Sequence, residues 1–242
     1  MLLKFFRLTL IFVWIIPCVL IAVLHSLFYP FNPAPIYTFA VLWGPLSAKI
    51  LGLEYELRDH DRLVNARPCI LIANHQSNYD LLMACLFRVR RTVSLGKKEL
   101  GYIPFFGLFY WLSGNIMVDR SNKKKAKASM DKVKDIIRRK GYSILIMPEG
   151  TRSKGRGLLP FKKGAFITAI HAQVPIVPIV ISDWYQHIDF KRWRAGKVII
   201  QILPKVDVSA YKESEAEALS QHCRQLMEAQ LKSVNLELAK KA

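Results

Sequence analysis

His75 and Asp80 stand five positions apart in the run Asn74-His75-Gln76-Ser77-Asn78-Tyr79-Asp80, directly after the apolar stretch Cys69–Ala73. A neutral imidazole, with an unperturbed pKa of about 6.5, can take a proton near neutral pH. It needs a carboxylate to fix its tautomer and to steady the imidazolium that forms. One short segment therefore holds both parts of a general base. The same residues also suit a plain structural arrangement, a core-edge histidine beside a helix-capping aspartate, and the segment alone does not choose between the two.

Three further motifs fall where apolar runs break. Gly114–Arg120 delivers an Asp119-Arg120 pair to the end of a predicted strand. Met147-Pro148-Glu149-Gly150-Thr151-Arg152-Ser153 places a carboxylate, a permissive glycine and a guanidinium at another. Val174–Ile179 is an apolar run with two prolines. Arg120 and Arg152 suit phosphate, because a planar guanidinium can meet two phosphate oxygens at once. Lys98, Arg156, Lys162 and Lys163 add positive potential, and each taken alone also reads as an ordinary surface charge. Glu149, between proline and glycine, is placed either to accept hydrogen bonds from substrate hydroxyls or to hold Arg120 or Arg152.

Other chemistries find no support. No G-x-S-x-G elbow is present. Ser77 lies two residues from His75 and reads as a loop or cap hydroxyl. Gly150–Gly155 resembles the start of a phosphate loop, but Arg156-Gly157 stands where Lys-Ser/Thr is required. The four cysteines, Cys18, Cys69, Cys85 and Cys223, form no C-x-x-C, and no metal-ligand spacing occurs.

The elements that must position these residues alternate along the chain. Strands are predicted at Cys69–Ala73, Thr92–Leu95, Ile116–Val118, Ser143–Met147, Ile176–Ile181 and Val198–Leu203. Helices are predicted at about 80–88, 98–112, 122–140 and 162–172. Such alternation predicts an α/β domain with a mainly parallel sheet flanked by helices. In such sheets ligands sit outside the carboxyl ends of the strands, where the polar motifs fall. A final amphipathic helix is expected from about Ser214 to Ala239, with Leu219, Leu226, Leu231, Val234 and Leu238 turned inward.

Two apolar segments precede this domain. Leu8–Tyr29 carries no charged side chain and is long enough for a bilayer core. After a proline-rich joint, Ile36–Leu53 carries only Lys49. The expected division is a membrane-anchoring helical pair over 1–53 and a catalytic domain over 54–242. The 242-residue chain has a formal net charge of +18, nearly all of it beyond residue 53. A surplus of this size favours anionic partners, whether lipid headgroups, phosphorylated substrates or nucleic acid.

Together, His75-x4-Asp80, Gly114–Arg120, Pro148–Ser153 and Val174–Ile179 resemble the four ordered blocks of the glycerolipid acyltransferases. The likeness is strongest to the bacterial 1-acyl-sn-glycerol-3-phosphate acyltransferases and runs from about residue 54 to 210. Met117, Val118 and Met147 depart mildly from the usual pattern and preserve apolar packing. The resemblance implies acyl transfer from acyl-CoA or acyl carrier protein to the sn-2 hydroxyl of lysophosphatidic acid, giving phosphatidate. It implies His75 and Asp80 as the catalytic pair, and Arg120, Glu149, Gly150, Thr151, Arg152 and Lys98 around the glycerol phosphate. No bound cofactor or metal and no nucleic acid is expected. Membrane lipids are expected partners, at the cytoplasmic face of a bacterial inner membrane. Two readings stay open: the same chemistry on glycerol 3-phosphate or another lysophospholipid, and a membrane-tethered basic protein that binds nucleic acid or lipid.

Overall fold

The computed structural model describes the backbone of residues 1–118 and 123–241, with side chains for 1–118 and 131–240. Its centre is a seven-stranded sheet, formed by β1 (Leu53–Arg58), β2 (Ile70–Ala73), β3 (Thr92–Lys97), β4 (Ile116–Val118), β5 (Ser143–Ile146), β6 (Ile176–Ile181) and β7 (Gly196–Ile202). The order across it is β1-β7-β6-β2-β5-β3-β4. Every neighbouring pair is parallel except β6 with β7. The carboxyl ends of β6, β2, β5, β3 and β4 therefore share one edge, where β7 and β1 begin.

Both faces of the sheet are covered, which explains why its central strands read as continuous apolar runs rather than alternating ones. Leu71 and Ala73 of β2 face one core; Ile70 and Ile72 face the other. Helices α6 (Lys123–Lys140), α7 (Gly164–Ala172) and α8 (Ala216–Lys241) cover the second face. Helix α8 turns Leu219, Cys223, Met227 and Val234 inward, while the expected inward Leu226 is exposed. The interval there matches a helical stripe that the cysteine and methionine complete.

The first face is covered by α1 (Leu2–Phe28), α2 (Ala34–Leu51), α4 (Asp80–Leu86) and α5 (Phe106–Leu112). Helix α2 opens with proline in its first turn and closes on Gly52 at φ 68°, a left-handed position suited to glycine. Strand β1 and the short helix α3 (Asp61–Asn65) escape the sequence pattern, since β1 mixes charged residues into an edge strand. The helix expected over 98–112 is broken. A 3₁₀ turn spans Lys98–Tyr102, and α5 begins at Phe106, past Pro104 and the positive φ of Phe105.

The two N-terminal helices are long and apolar enough to cross a membrane. They lie against the domain as a layer of its first core: Cys18, Val19 and Ala22 of α1 and Phe39, Trp43 and Leu51 of α2 pack with sheet residues Leu71, Val177 and Ile200. Their joint is tied down, with Phe31 N–H donating to the Leu112 carbonyl at 2.5 Å and Lys140 Nζ to the Phe31 carbonyl at 3.4 Å. At the other end, Arg7 is 5% exposed and its guanidinium donates to the carbonyls of Phe190, Arg192 and Trp193. The outer side of α1 remains bare, with Phe5, Phe12, Ile16, Leu24 and Phe28 all exposed.

Candidate active site

Strand β2 ends at Ala73 and hands the chain to a loop that must satisfy its own polar backbone at a buried edge. Asn74 continues the ladder with its side chain. Its amide donates to the Ile181 carbonyl and its oxygen accepts from the Ile181 N–H, both at 2.8 Å. Gln76 does the same two residues further on. Its amide donates to the carbonyls of Ile181 and Ser182, and its oxygen accepts from the N–H groups of Trp184 and Tyr185. His75, between these two buried amides, is left partly open, with 24% of its side chain exposed.

His75 Nδ1 lies 2.5 Å from Asp80 Oδ2. An ionised carboxylate can only accept, so this bond assigns the proton to Nδ1 and leaves the Nε2 lone pair for a reactant. The same Oδ2 accepts from the N–H groups of Gln76 and Ser77 at 2.6 and 3.0 Å. Asp80 is 2% exposed and is the first residue of α4, where the helix N-terminus favours negative charge. The backbone amides and the imidazole together hold the carboxylate in one orientation.

The loop after β5 grips the other side of His75. Ser153 N–H donates to the His75 carbonyl at 2.8 Å, and Lys154 N–H to the Gln76 carbonyl at 3.1 Å. Glu149, 3% exposed, accepts the His75 N–H through Oε1 at 2.7 Å and the Leu159 N–H through Oε2 at 3.1 Å. Burial pushes its carboxyl above the usual range, against the pull of those two backbone bonds. Both oxygens accept from backbone, and Arg120, one of the partners expected from sequence, lies outside the described residues. The two oxygens fasten two loops and the backbone of the base.

Gly150 has φ 69°, and a Cβ there would stand 2.8 Å from Lys162 Cε. Thr151 and Arg152 are exposed at the same edge, immediately before Ser153. Lys98 follows β3 directly and is partly buried. Arg120 and Asp119, which follow β4, lie outside the described residues. The strand order sets the described motifs in a row, His75 after β2, Glu149–Arg152 after β5 and Lys98 after β3. Two strand spacings of about 4.8 Å give this row a width of about 10 Å. Among the described residues, no group of three His, Cys, Asp or Glu side chains is arranged to hold a metal.

An imidazole held by a carboxylate, with Arg152 exposed at the same edge, is suited to activating a hydroxyl that a substrate brings. The sequence of the Acyltransferase family matches residues 54–182, more than half of the chain. The chain belongs to this family. The acyltransferase is 42% identical over 236 residues to the 1-acyl-sn-glycerol-3-phosphate acyltransferase of Salmonella typhimurium, covering 98% of this chain and 96% of that one. It is 42% identical to the enzyme of the same name from Haemophilus influenzae, over 95% of this chain and 97% of that one. Its fold matches the crystal structure of the 1-acyl-sn-glycerophosphate (LPA) acyltransferase PlsC from Thermotoga maritima with a TM-score of 0.76, at 22% identity and over 96% and 95% of the two chains.

In this acyltransferase the sequence motifs at the ends of β2 and β5 do meet, through backbone as much as through side chains. Asn74 and Gln76 are the positioning residues that motif reading passes over. Their signal is a pair of amides flanking a strand-end histidine, which becomes informative once both are buried.

Proposed function

We propose that the chain transfers an acyl group from acyl-CoA or acyl carrier protein to the sn-2 hydroxyl of 1-acyl-sn-glycerol 3-phosphate, giving phosphatidate and a free thiol. The observation that carries this reading is the His75–Asp80 pair, held at the strand-end edge with Nε2 open. His75 Nε2 takes the proton of the acceptor hydroxyl as that oxygen attacks the thioester carbonyl. The tetrahedral intermediate collapses, the C–S bond breaks, and the imidazolium returns the proton to the leaving sulfur. Asp80 steadies the imidazolium between the two steps. Glu149 and Gln76 act as positioning residues. Arg152 and Arg120, with Lys98, Gly150 and Thr151 along the same edge, are the proposed cradle of the glycerol phosphate. The names carried by the bacterial relatives support lysophosphatidic acid over other acceptors.

The substrate pair also requires a membrane surface. The bonds from Phe31 to Leu112 and Lys140 keep the joint of the two helices on the domain. That favours a hairpin lying in one leaflet, exposing the bare side of α1 to acyl chains, over one that crosses. Thioester donors and the basic Lys4 and Arg7 favour the cytoplasmic face. An apolar cavity of about 100 Å³ between α2, α4, α5 and the sheet, lined by Ala40, Leu81, Ala84 and Phe109, is placed to take part of an acyl chain.

Thiol release from acyl-CoA by the purified full chain, with and without lysophosphatidic acid, tests the reading. His75→Ala is expected to lower acceptor-dependent release about 10²–10⁴-fold, the usual contribution of a general base. Activity within about tenfold of the parent would remove His75 as the base. Equal release with glycerol 3-phosphate or lysophosphatidylcholine would reassign the acceptor.

A further inference from the structure

At the end of the sheet opposite His75, where β3 and β5 begin, a second pocket opens beside the joint of α1 and α2. Its volume is about 740 Å³, and Arg67, Arg90, Arg91, His25 and Tyr37 line it with no aspartate or glutamate among them. Among the described residues, no carboxylate pairs with the three guanidiniums. Arg67 donates to the carbonyls of Val64 and Arg90, and Arg91 to the carbonyl of Lys140. Arg90 lies 4.5 Å over the Tyr37 ring, and Arg91 lies 5.5 Å over Tyr142. Asn32, Pro33 and Ala34 bring the start of the 18-residue α2 to the same pocket, where Asn32 Oδ1 accepts the Ala34 N–H at 2.9 Å. Exposed Val41 continues the wall along α2 toward the apolar outer side of the hairpin.

Three cations with no carboxylate partner among the described residues, next to an apolar wall, suit a ligand with an anionic phosphate head and a hydrocarbon tail. We infer that this pocket binds the phosphate headgroup of an anionic membrane phospholipid, at a site separate from the catalytic edge. The tail runs along Val41 and the hairpin. The inference rests on the reading of α1 and α2 as a membrane-facing hairpin, because the tail needs that surface. A lipid held here would fix the hairpin joint against the leaflet and set how the far end of the sheet, with His75, meets the membrane.

Arg90→Gln provides the cleanest probe. Arg90 is exposed and lies over Tyr37, with no hydrogen bond to the protein from its side chain among the described residues, so its loss spares the fold. The full chain in detergent is titrated with dioctanoyl phosphatidylglycerol, dioctanoyl phosphatidylcholine or inorganic phosphate, and bound species are counted by native mass spectrometry. The parent is expected to hold phosphatidylglycerol at least tenfold more tightly than phosphatidylcholine. Arg90→Gln should lose most of that preference, Arg90→Lys should restore part of it, and Arg152→Gln, at the catalytic edge, should keep it. An unchanged preference in Arg90→Gln overturns the site. Displacement of the lipid by equimolar inorganic phosphate also overturns it, leaving a free-phosphate pocket. Flotation of the parent on phosphatidylcholine vesicles reports the hairpin reading separately: flotation with no phosphatidylglycerol preference rejects the pocket alone.

Discussion

Asp80 concentrates three donors on one oxygen, and this sets what a single-atom change must do. An asparagine in its place would still offer an oxygen to the Gln76 and Ser77 amides, but it carries no charge to steady an imidazolium. Asp80→Asn is therefore expected to lower kcat about 10²–10⁴-fold with little change in the acceptor KM, as steady-state rates in detergent would show. Glu149 behaves differently, because both of its oxygens accept from backbone. Glutamine can satisfy only one of those donors and turns its own amide on the other. Glu149→Gln should cost about 1–3 kcal/mol at neutral pH through that conflict. Burial raises the folded-state pKa of Glu149, so its contribution to stability is fully present below the unfolded value of 4.5 and is lost as pH rises through the raised one. Melting curves at pH 7 and near 4.5 should accordingly shift the parent-minus-variant difference in the parent's favour toward acid. The pairing of His75 with Asp80 is legible in the sequence from their short spacing after an apolar run. The clamp role of Glu149 is not, because its partners are the backbone of residue 75, which is 74 positions away, and of Leu159.

At the scale of elements, the parallel strands are readable from apolar runs, and their shared edge follows from the topology rule. What the runs cannot reveal is how the His75 loop is fixed. That depends on Gln76 reaching the segment after β6, more than a hundred residues on. Gln76→Ala would leave two carbonyls and two amides of residues 181–185 without this partner. Activity is expected to fall about 10–100-fold, rescued in part by glutamate only for the two amide donors, while the His75–Asp80 bond persists. A proton NMR signal from the His75–Asp80 hydrogen bond that vanished in Gln76→Ala would contradict this division of labour. The break in the helix expected over 98–112 has a similar origin. Pro104 and the Gly107 approach to Gly101 are local signals, but the end of α5 is set by its packing on α1 and α2. Helices α2, α4 and α5 close the apolar cavity, so its size is a property of the packing. Ala84→Phe, which fills that cavity from α4, should lower kcat/KM for long acyl donors at least tenfold and spare short ones, measured with an acyl-CoA ladder.

For the whole molecule, the two apolar helices carry two loads that sequence alone cannot separate. Their length and composition read as an anchor, yet Cys18, Val19, Ala22 and much of α2 complete the first core. Arg7 also joins α1 to the loop of Phe190, whose ring packs 5.1 Å from Tyr79 in the His75 segment. The bare apolar side of α1 and its link to the His75 segment therefore lie on different faces of the same helix. Changing only the outer face, as in Phe5→Glu/Phe12→Glu/Phe28→Glu, should abolish flotation on vesicles while detergent-assayed activity stays within about threefold, since exposed substitutions leave the core intact. Arg7→Ala should do the reverse. It leaves the apolar face whole and strips three carbonyls of their donor, the Phe190 one buried, so flotation persists while detergent-assayed activity falls about tenfold, because an unsatisfied buried carbonyl costs roughly 1–3 kcal/mol. Equal loss of both properties in both variants would mean that anchoring and catalytic order are one cooperative unit rather than two faces of one helix.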